Sequence, residues 1–265
     1  LPYDVLEEFC KLYKEEIKIP FAVFGIIPNY VREDKIALLV DAGMNRIRMG
    51  IQSGSENILE FYKRPTRLKR IKEATHIFNK FKKYMIPPSF DIIVENPVET
   101  PEDTRATLDM LFEMPRPFSL NIFALRVIPN SLLAIDMEKR GIDIPGIQKG
   151  YITDYHRTMG NVLVFALAAV KIPGWLYKIL RKKVYPVQME QPKYPILFFI
   201  ARLSYLIKKA TDHIRFMDFS VLPGKPGYWL WKLGVIKFWQ RYVLKHYHLP
   251  KTNKKKIDSY LKTIS

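Results

Sequence analysis

The sequence predicts an α/β fold with a parallel sheet, and two observations support this class. Between residues 4 and 140, segments with helical periodicity alternate regularly with short strand-like segments. The composition is 48% hydrophobic and 13% aromatic over 265 residues, which allows a sizeable core and excludes global disorder. Regular alternation of helix and strand is typical of a parallel sheet with right-handed crossovers, in either a barrel or a doubly wound sheet.

The individual elements follow from local patterns. Apolar residues at every third or fourth position mark helices, and short apolar or alternating runs mark strands. Gly43 and Gly141 are expected to end two helices, while Thr100 and Pro101 suit the N-cap and first position of another. On this basis strands are predicted over 20–25, 45–48, 89–94 and 120–127, and helices over 4–18, 32–42, 56–60, 68–83, from 101 onward, and 131–140.

The charge is distributed unevenly along the chain. Of the net charge of +17, residues 151–265 carry about +16, with 21 Lys and Arg against 5 Asp and Glu. The remaining 22 basic and 21 acidic side chains lie in residues 1–150, which are therefore close to neutral. This asymmetry predicts two domains, 1–149 and 150–265, and indicates that the second contacts an anionic surface.

The basic second part combines apolar runs with aromatic residues. The runs over 161–170 and 194–207 fall short of the roughly 20 residues that are needed to cross a bilayer. Over 227–245, Trp229, Trp231 and Trp239 are interleaved with Lys and Arg, a pattern typical of a helix at a membrane interface. The alternative is an ordinary helical appendage with a basic outer face.

The numbers and positions of the cysteine and histidine residues limit which catalytic and metal-binding sites the chain can form. Cys10 is the single cysteine and lies in a helical pattern, so it is expected to be a buried small hydrophobe in a reducing, cytoplasmic compartment. The five histidines form no helical ligand pair, and no Ser–His–Asp context is visible. A hydrolase or metalloenzyme therefore has little support, and neither a catalytic side chain nor a metal ligand is assigned.

The turn Gln52-Ser53-Gly54-Ser55 joins a predicted strand to a predicted helix. A strand that passes through a Gly/Ser turn into a helix exposes backbone N–H groups and small hydroxyls at the carboxyl edge of the sheet, where α/β proteins usually bind ligands. The alternative interpretation is a capping box formed by Ser53 and Glu56, which would make this simply a well-capped helix.

Several motifs at strand ends occur in the order of a known family. These motifs are Gly50-Ile51-Gln52-Ser53-Gly54-Ser55, Tyr62-Lys63-Arg64, Phe90-Asp91-Ile92-Ile93 and Asn96-Pro97-Val98-Glu99-Thr100. Through them the chain resembles radical S-adenosylmethionine (radical SAM) enzymes, most closely those linked to a cobalamin-binding domain. The resemblance covers about residues 1–141, and Pro129-Asn130-Ser131 stands where the family often has Pro-Gly-Thr.

The resemblance implies a fold and a chemistry. The fold would be the C-terminal portion of a partial (β/α)₆ TIM-like barrel with parallel strands, followed by a mainly helical, basic extension. In the family a 4Fe–4S cluster passes one electron to S-adenosylmethionine, and the radical so formed abstracts hydrogen from an unactivated carbon. The implied reaction class is methyl transfer or related C–H functionalisation.

The resemblance also implies cofactor-binding residues. Gln52 matches the polar residue that reaches S-adenosylmethionine at a strand end, with Ser53 as a supporting contact to its ribose or carboxylate. Arg64 matches a basic residue that pairs with the methionine carboxylate, which a guanidinium binds through two parallel hydrogen bonds. Asp91 matches the carboxylate that accepts hydrogen bonds from the ribose, and Ala124 falls where strand backbone meets adenine.

The chain departs from the family at the cluster. The three-cysteine motif C-x₃-C-x₂-C is absent, and one cysteine in a helix cannot replace three thiolate ligands. The Gly-Gly-Glu strand and the cobalamin domain are also missing. We therefore expect an N-terminally truncated chain that is inactive alone, with the cluster and any cobalamin held by missing residues.

The substrate and partners follow only from the second part. Its aromatic and basic residues favour a small lipid or other hydrophobic substrate and peripheral contact with an anionic membrane. The alternative function is a non-catalytic protein whose basic helical part binds a membrane surface or nucleic acid. Against nucleic acid, no recognised nucleic-acid motif is present in the sequence. The oligomeric state is not indicated.

Overall fold

The computed structural model describes residues 1–17, 20–64, 66–142, 155–184, 193–217, 226–239 and 242. Four strands in this part of the chain form one parallel sheet in the order β1-β2-β3-β4, with β1 at Phe21–Ile26, β2 at Met44–Gln52, β3 at Ser89–Val94 and β4 at Ser119–Ala124. The spatial order follows the chain without reversal, as in the wall of a barrel. A doubly wound sheet would reverse once, so the described strands favour the barrel arrangement.

Helices precede, separate and follow the strands, and the predicted α/β alternation with parallel strands is confirmed. The first helix is shorter than predicted, because a π-helical turn at Tyr13–Ile17 follows it. The helices are α1 (Tyr3–Leu12), α2 (Glu33–Asp41), α3 (Glu56–Phe61), α4 (Leu68–Lys80), α5 (Pro101–Glu113), α6 (Leu132–Lys139), α7 (Met159–Ala169), α8 (Gly174–Arg181), α9 (Pro195–Arg215), α10 (Pro226–Lys232) and α11 (Val235–Phe238).

The predicted helix ends are confirmed where they depend on local chemistry. Thr100 is the N-cap of α5, with Pro101 at its first position. The Thr100 hydroxyl accepts the Asp103 N–H at 3.2 Å, and the Asp103 carboxylate accepts the Thr100 N–H at 3.0 Å, which completes a capping box. Gly43 and Gly141 follow α2 and α6 with φ of +113° and +65°, a conformation that glycine adopts without a Cβ clash.

The two faces of the sheet differ in polarity because side chains alternate along each strand. One face packs against the helices through buried residues such as Met49, Phe90 and Leu120. The opposite face, here called the inner face, is partly exposed and mostly polar. The inner face comprises Arg46, Arg48, Gly50 and Gln52 of β2, Ser89, Asp91 and Ile93 of β3, and Ser119, Asn121 and Phe123 of β4.

The helices after residue 155 pack onto the sheet and cover its β4 edge. Their buried residues belong to the same hydrophobic cluster as the sheet core. Tyr155 and Tyr205 donate their hydroxyl hydrogens to the carbonyls of Ile122 and Leu120 at 2.8 and 2.9 Å, so they satisfy alternate acceptors of an edge strand. The predicted domain boundary at 149/150 lies outside the described residues and stays a prediction.

The C-terminal elements differ from the predicted interfacial helix over 227–245. Two short helices, α10 and α11, stand in its place, and Gly234 between them has φ of +78°. Trp231 has no described side chain, and residues 240–241 and 243–265 lie outside the described part of the chain. Among the described residues, no helix combines the length and the apolar character needed to cross a membrane.

Candidate cofactor site at the carboxyl edge of the sheet

Two non-glycine residues at the carboxyl edge have left-handed backbone conformations. Gln52, the last residue of β2, has φ of +72°, and Glu95, which follows β3, has φ of +61°. Such conformations are uncommon outside glycine and cost of the order of 1–3 kcal/mol each, and they cluster at functional sites. Their occurrence at the ends of two neighbouring strands marks this edge as the candidate site.

The side chain of Gln52 folds back along the inner face. A Cβ added at Gly50 would lie only 2.6 Å from Gln52 Nε2, so the space beside Gly50 is occupied by this amide. Gly50 in turn pairs with Asp91 in the register of β2 and β3. Gln52 and Asp91, which the sequence predicts as cofactor-binding residues, are therefore neighbours on one face of the sheet.

Asp91 is held by partners on both neighbouring strands. Arg48 Nε donates to its two carboxylate oxygens at 2.8 and 3.0 Å, and Asn121 Nδ2 donates to Oδ1 at 2.8 Å. Asn121 also donates to Ser89 Oγ at 2.9 Å and accepts from Lys209 Nζ at 3.0 Å. A carboxylate offers about four acceptor positions. These contacts therefore orient Asp91 and leave it capacity for a further donor such as a ribose hydroxyl.

Ser53 lies behind this face rather than on it. The residue is 0% exposed, and its hydroxyl is 3.1 Å from Thr107 Oγ1 of α5 and accepts the Ser55 N–H at 3.1 Å. The Gly54 N–H donates to Thr107 Oγ1 at 2.9 Å. The alternative prediction of a capping box between Ser53 and Glu56 is wrong. The N-cap of α3 is Ser55, and the Ser55 side chain makes no capping hydrogen bond. The cofactor role of Ser53 stays a prediction.

A buried polar network joins the turn at 52–55 to the loop at 96–103. Asp103 accepts hydrogen bonds from the Ser55 hydroxyl and from Asn57 Nδ2. Burial raises the pKa of Asp103, but the hydrogen bonds from Ser55 and Thr100 outweigh burial and hold it below its ordinary value. Two motifs that the sequence gives separately are thus one structural unit.

Glu99 is a buried carboxyl group in that unit. It is 8% exposed, and its one described side-chain hydrogen bond comes from Thr104 Oγ1 at 3.5 Å. Burial, with the nearby charges of Asp103 and Glu95, raises the pKa of Glu99 to about 8. The carboxyl group is therefore largely protonated at neutral pH in the folded chain.

The other two predicted residues lie apart from this pair. Arg64 is exposed, has no side-chain partner among the described residues, and lines an outer groove of about 550 Å³ whose lining includes neither Gln52 nor Asp91. Ala124 is half-buried at the end of β4 and pairs with Val94 in the sheet register. The assignments of Arg64 and Ala124 stay predictions.

Sequence reasoning missed three residues that hold the site. Arg48 stands two and four positions before Gly50 and Gln52, so strand alternation alone would have placed it on the same face. Asn121 pairs with Asp91 in the register of β3 and β4. Lys209 comes from α9, and no local pattern indicates that it reaches Asn121.

The described residues do not fit an iron–sulfur cluster. Cys10 is buried in α1, and burial, together with the nearby charge of Asp41, raises the pKa of its thiol to about 11. Clusters are held by thiolates, usually several, whereas a thiol with a raised pKa stays protonated. In the described part of the chain, no group of three His, Cys, Asp or Glu residues could hold a metal ion.

Residues 1–111 match the family model described as the radical SAM superfamily. This match confirms the resemblance to radical SAM enzymes that the strand-end motifs predicted. A search of curated proteins found no match.

Several solved structures are similar to the chain at low identity. Coproporphyrinogen III oxidase (HemN) from Escherichia coli is 21% identical, with a TM-score of 0.42 over 56% of this chain and 34% of that chain. The cobalamin-dependent S-adenosylmethionine radical enzyme OxsB is 13% identical, with a TM-score of 0.47 over 97% of this chain and 42% of that chain. The radical S-adenosylmethionine methyltransferase TsrM from Kitasatospora setae, bound to cobalamin and a 4Fe–4S cluster, is 19% identical, with a TM-score of 0.42 over 57% and 30%. The chain thus spans less than half the length of each of these proteins.

Proposed function

We propose that this chain is part of a radical SAM enzyme, and that its inner face binds S-adenosylmethionine at the carboxyl edge of β2 and β3. The observation that carries the proposal is that Gln52 and Asp91 are adjacent on this face, inside the residues that match the superfamily. The left-handed backbone at Gln52 and Glu95 supports the same edge.

Four residues of the inner face have defined roles in the proposal. The Asp91 carboxylate accepts hydrogen bonds from ribose hydroxyls, while Arg48 and Asn121 hold it in place. The Gln52 amide supplies both a donor and an acceptor to the cofactor. When bound beside its cluster, S-adenosylmethionine supplies the radical chemistry, and these residues orient it and exclude water.

The remaining cofactors come from outside the 265 residues. Three thiolates for a 4Fe–4S cluster cannot be drawn from a chain with one cysteine. Cobalamin is a further cofactor that the resemblance allows, and in this proposal its binding residues also lie beyond this sequence. Methyl transfer or a related C–H functionalisation of a small hydrophobic or lipid molecule is the finer form of the proposal.

Asp91→Asn is expected to weaken binding of S-adenosylmethionine to the chain about tenfold. The substitution keeps the size of the side chain but replaces an acceptor-only carboxylate by an amide, and hydrogen bonds to a charged group are among the stronger ones. Isothermal titration calorimetry on the wild-type and variant chains measures the change, and circular dichroism checks that both are folded.

Asp136→Asn is the matched control, since Asp136 pairs with Arg140 on the exposed surface of α6. Its affinity should equal that of the wild type. Arg64→Ala tests the predicted carboxylate-binding residue in the same titration, and a loss comparable to that of Asp91→Asn would place Arg64 in the site. Equal affinity of the wild type and Asp91→Asn would contradict the proposed site.

A second candidate function, peripheral membrane binding, is favoured by the outer face of α9. The helix buries Phe198, Ala201 and Tyr205 against the core. The residues diametrically opposite are also apolar and are between 44% and 74% exposed, although a helix that is apolar on all sides is normally buried. We call this set the α9 outer face, and it consists of Ile196, Phe199, Ile200, Leu203, Ile207 and Ile214.

The charge around this face favours an anionic lipid surface as the occupant. Arg202 and Arg215 lie on the same helix, and residues 151–265 carry about +16 in total. Each basic residue close to an anionic bilayer contributes roughly 1 kcal/mol, and apolar insertion adds a component that salt does not screen. A lipid-like substrate would then be met at the membrane.

Replacing Phe199 and Leu203 together by Gln is expected to reduce binding of the chain to anionic liposomes about tenfold. Both side chains are exposed, so the fold is expected to remain intact while apolar insertion is lost. Co-sedimentation with liposomes of increasing anionic lipid content, at low and high salt, measures the effect.

The control is Leu132→Gln, an exposed apolar residue of α6 that lies outside the α9 outer face. It should bind like the wild type. A parallel titration with duplex and single-stranded nucleic acid distinguishes membrane binding from nucleic-acid binding. Binding to nucleic acid without binding to liposomes would favour a non-catalytic protein that binds nucleic acid.

A further inference from the structure

A cavity of about 260 Å³ lies at the amino ends of the strands, opposite the proposed cofactor edge. Ser89 and Ser119, the first residues of β3 and β4, line it, together with Arg48 from β2 and Lys209 and Phe216 from α9 and its end. The lining residue Phe24 of β1 is 61% exposed, so the cavity reaches the surface beside β1.

The charged groups around the cavity are unequal in number. Arg46, Arg48 and Lys209 line it with a single carboxylate, Asp212. Arg48 pairs with Asp91, and Asp212 pairs with Lys208.

Lys209 forms no salt bridge among the described residues, although the Asp91 carboxylate is near enough to act on its charge. Its ammonium donates to the neutral side-chain oxygen of Asn121 at 3.0 Å. A partly buried cation that is hydrogen-bonded only to a neutral group is stabilised by an anion that enters beside it.

We propose that this cavity binds a small organic anion, a carboxylate or phosphate ester with an apolar body, through Lys209 and the serine hydroxyls of β3 and β4. The hydroxyls of Ser89 and Ser119 and the ammonium of Lys209 are all able to donate hydrogen bonds to an anionic oxygen. This cavity lies towards the other end of the strands from Gln52, and it shares Arg48, Asn121 and Lys209 with the support of Asp91.

The rest of the lining determines the body of the ligand. The apolar part of the cavity wall is formed by Phe24, Ile86, Pro87 and Phe216. A ring or short aliphatic chain fits against this wall, and its burial adds affinity that a bare inorganic anion would lack. The preferred ligand is thus amphipathic, with an anionic head on Lys209 and an apolar tail towards Phe24.

Electrostatics agree with an anionic occupant. Burial, with the adjacent charges of Arg48 and Lys208, lowers the pKa of Lys209, and the charge of Asp91 opposes this only in part. A bound anion would act in the same direction as Asp91, because it supplies a further negative charge beside the ammonium. Binding should therefore become weaker at high salt and should raise the pKa of Lys209.

The test is calorimetric titration of the whole chain with phenyl phosphate, benzoate and the neutral analogue benzyl alcohol. We expect both anions to bind the wild type and benzyl alcohol to bind at least about tenfold more weakly, since a charged hydrogen bond is lost. Phenyl phosphate against benzoate distinguishes a phosphate ester from a carboxylate. Lys209→Met should weaken anion binding about tenfold, and Lys209→Arg should restore most of it.

Lys178→Met is the matched control, because Lys178 is an exposed lysine of α8 outside the cavity. It should bind both anions like the wild type. Phe24→Glu provides a second variant that leaves the core intact, since it places a negative charge at the open side and should reduce anion binding. Absence of anion binding to the wild type, equal binding of the anions and benzyl alcohol, or unchanged binding in Phe24→Glu or in folded Lys209→Met would overturn the proposal.

Discussion

Gly54→Ala is expected to lower the free energy of unfolding by about 3 kcal/mol, the upper part of the range for overpacking a filled interior. A Cβ at this position would lie 2.6 Å from Thr107 Cα and 2.8 Å from the Ala106 carbonyl oxygen. Both atoms belong to the backbone of α5, which cannot move aside as a flexible side chain could. The turn must therefore separate from α5, and the hydrogen bond from the Gly54 N–H to Thr107 Oγ1 is lost with it.

Urea unfolding followed by circular dichroism measures this loss. Gly174→Ala is the control, because its Cβ would meet its nearest neighbour, Phe112 Cζ, at 3.9 Å, an ordinary contact. Alanine in the first turn of α8 should change stability by less than about 0.5 kcal/mol. An unfolding midpoint unchanged by Gly54→Ala would mean that the turn does not pack on α5 in solution.

Much of the fold was predictable because its signals are local. The capping box of Thr100 and Asp103 involves residues three apart, and the alternation of β2 places Arg48, Gly50 and Gln52 on one face without tertiary information. The helix α8 was missed, although Pro173 before it and Arg181 in its last turn are ordinary end signals.

The packing of the C-terminal helices could not be predicted in the same way. Tyr155 and Tyr205 are far apart in sequence and donate to alternate carbonyls of β4, a geometry that depends on the assembled sheet. The break at Gly234, in contrast, had a local signal. A glycine within a helical pattern disfavours a continuous helix, and the prediction of one helix over 227–245 did not take it into account.

In the candidate site, too, some residues could be predicted from local sequence and others depend on tertiary contacts. Gln52 and Asp91 followed from motifs at strand ends, and strand register brings them together. Ser53 follows Gln52 directly in the chain, and consecutive side chains at a strand end point to opposite sides, so Ser53 faces α5 instead of the inner face. The support of Asp91 by Asn121 and Lys209 depends on three separate elements and has no sequence signature.

Glu99→Gln is expected to raise the free energy of unfolding by about 4 kcal/mol near pH 8, although it removes an ionisable group beside a candidate site. The ordinary pKa of this carboxyl group is 4.5, and in the folded chain burial raises the pKa to about 8. Between these two values the unfolded chain releases the proton while the folded chain keeps it. Wild-type stability from this group is thus fully present below the lower value and is lost as the pH rises to the higher one.

The amide of Gln resembles the protonated carboxyl group in size and has no proton to lose, so it removes the pH-dependent penalty. The difference between variant and wild type should be close to zero below about pH 3.5, where Glu99 carries the proton in both the folded and the unfolded chain, and should grow towards pH 8. Urea unfolding at a series of pH values measures this difference directly.

Glu102→Gln is the control for general charge effects, since Glu102 lies in the same first turn of α5 with its side chain 74% exposed. Its effect should stay within about 0.5 kcal/mol across the same pH range. Curves for Glu99→Gln and wild type that run parallel from pH 4.5 to 8 would mean that Glu99 is ionised in the folded chain. A buried carboxylate needs a cationic or hydrogen-bonding partner that stabilises its charge. The contacts between the 52–55 turn and α5 would then have to include such a partner for Glu99.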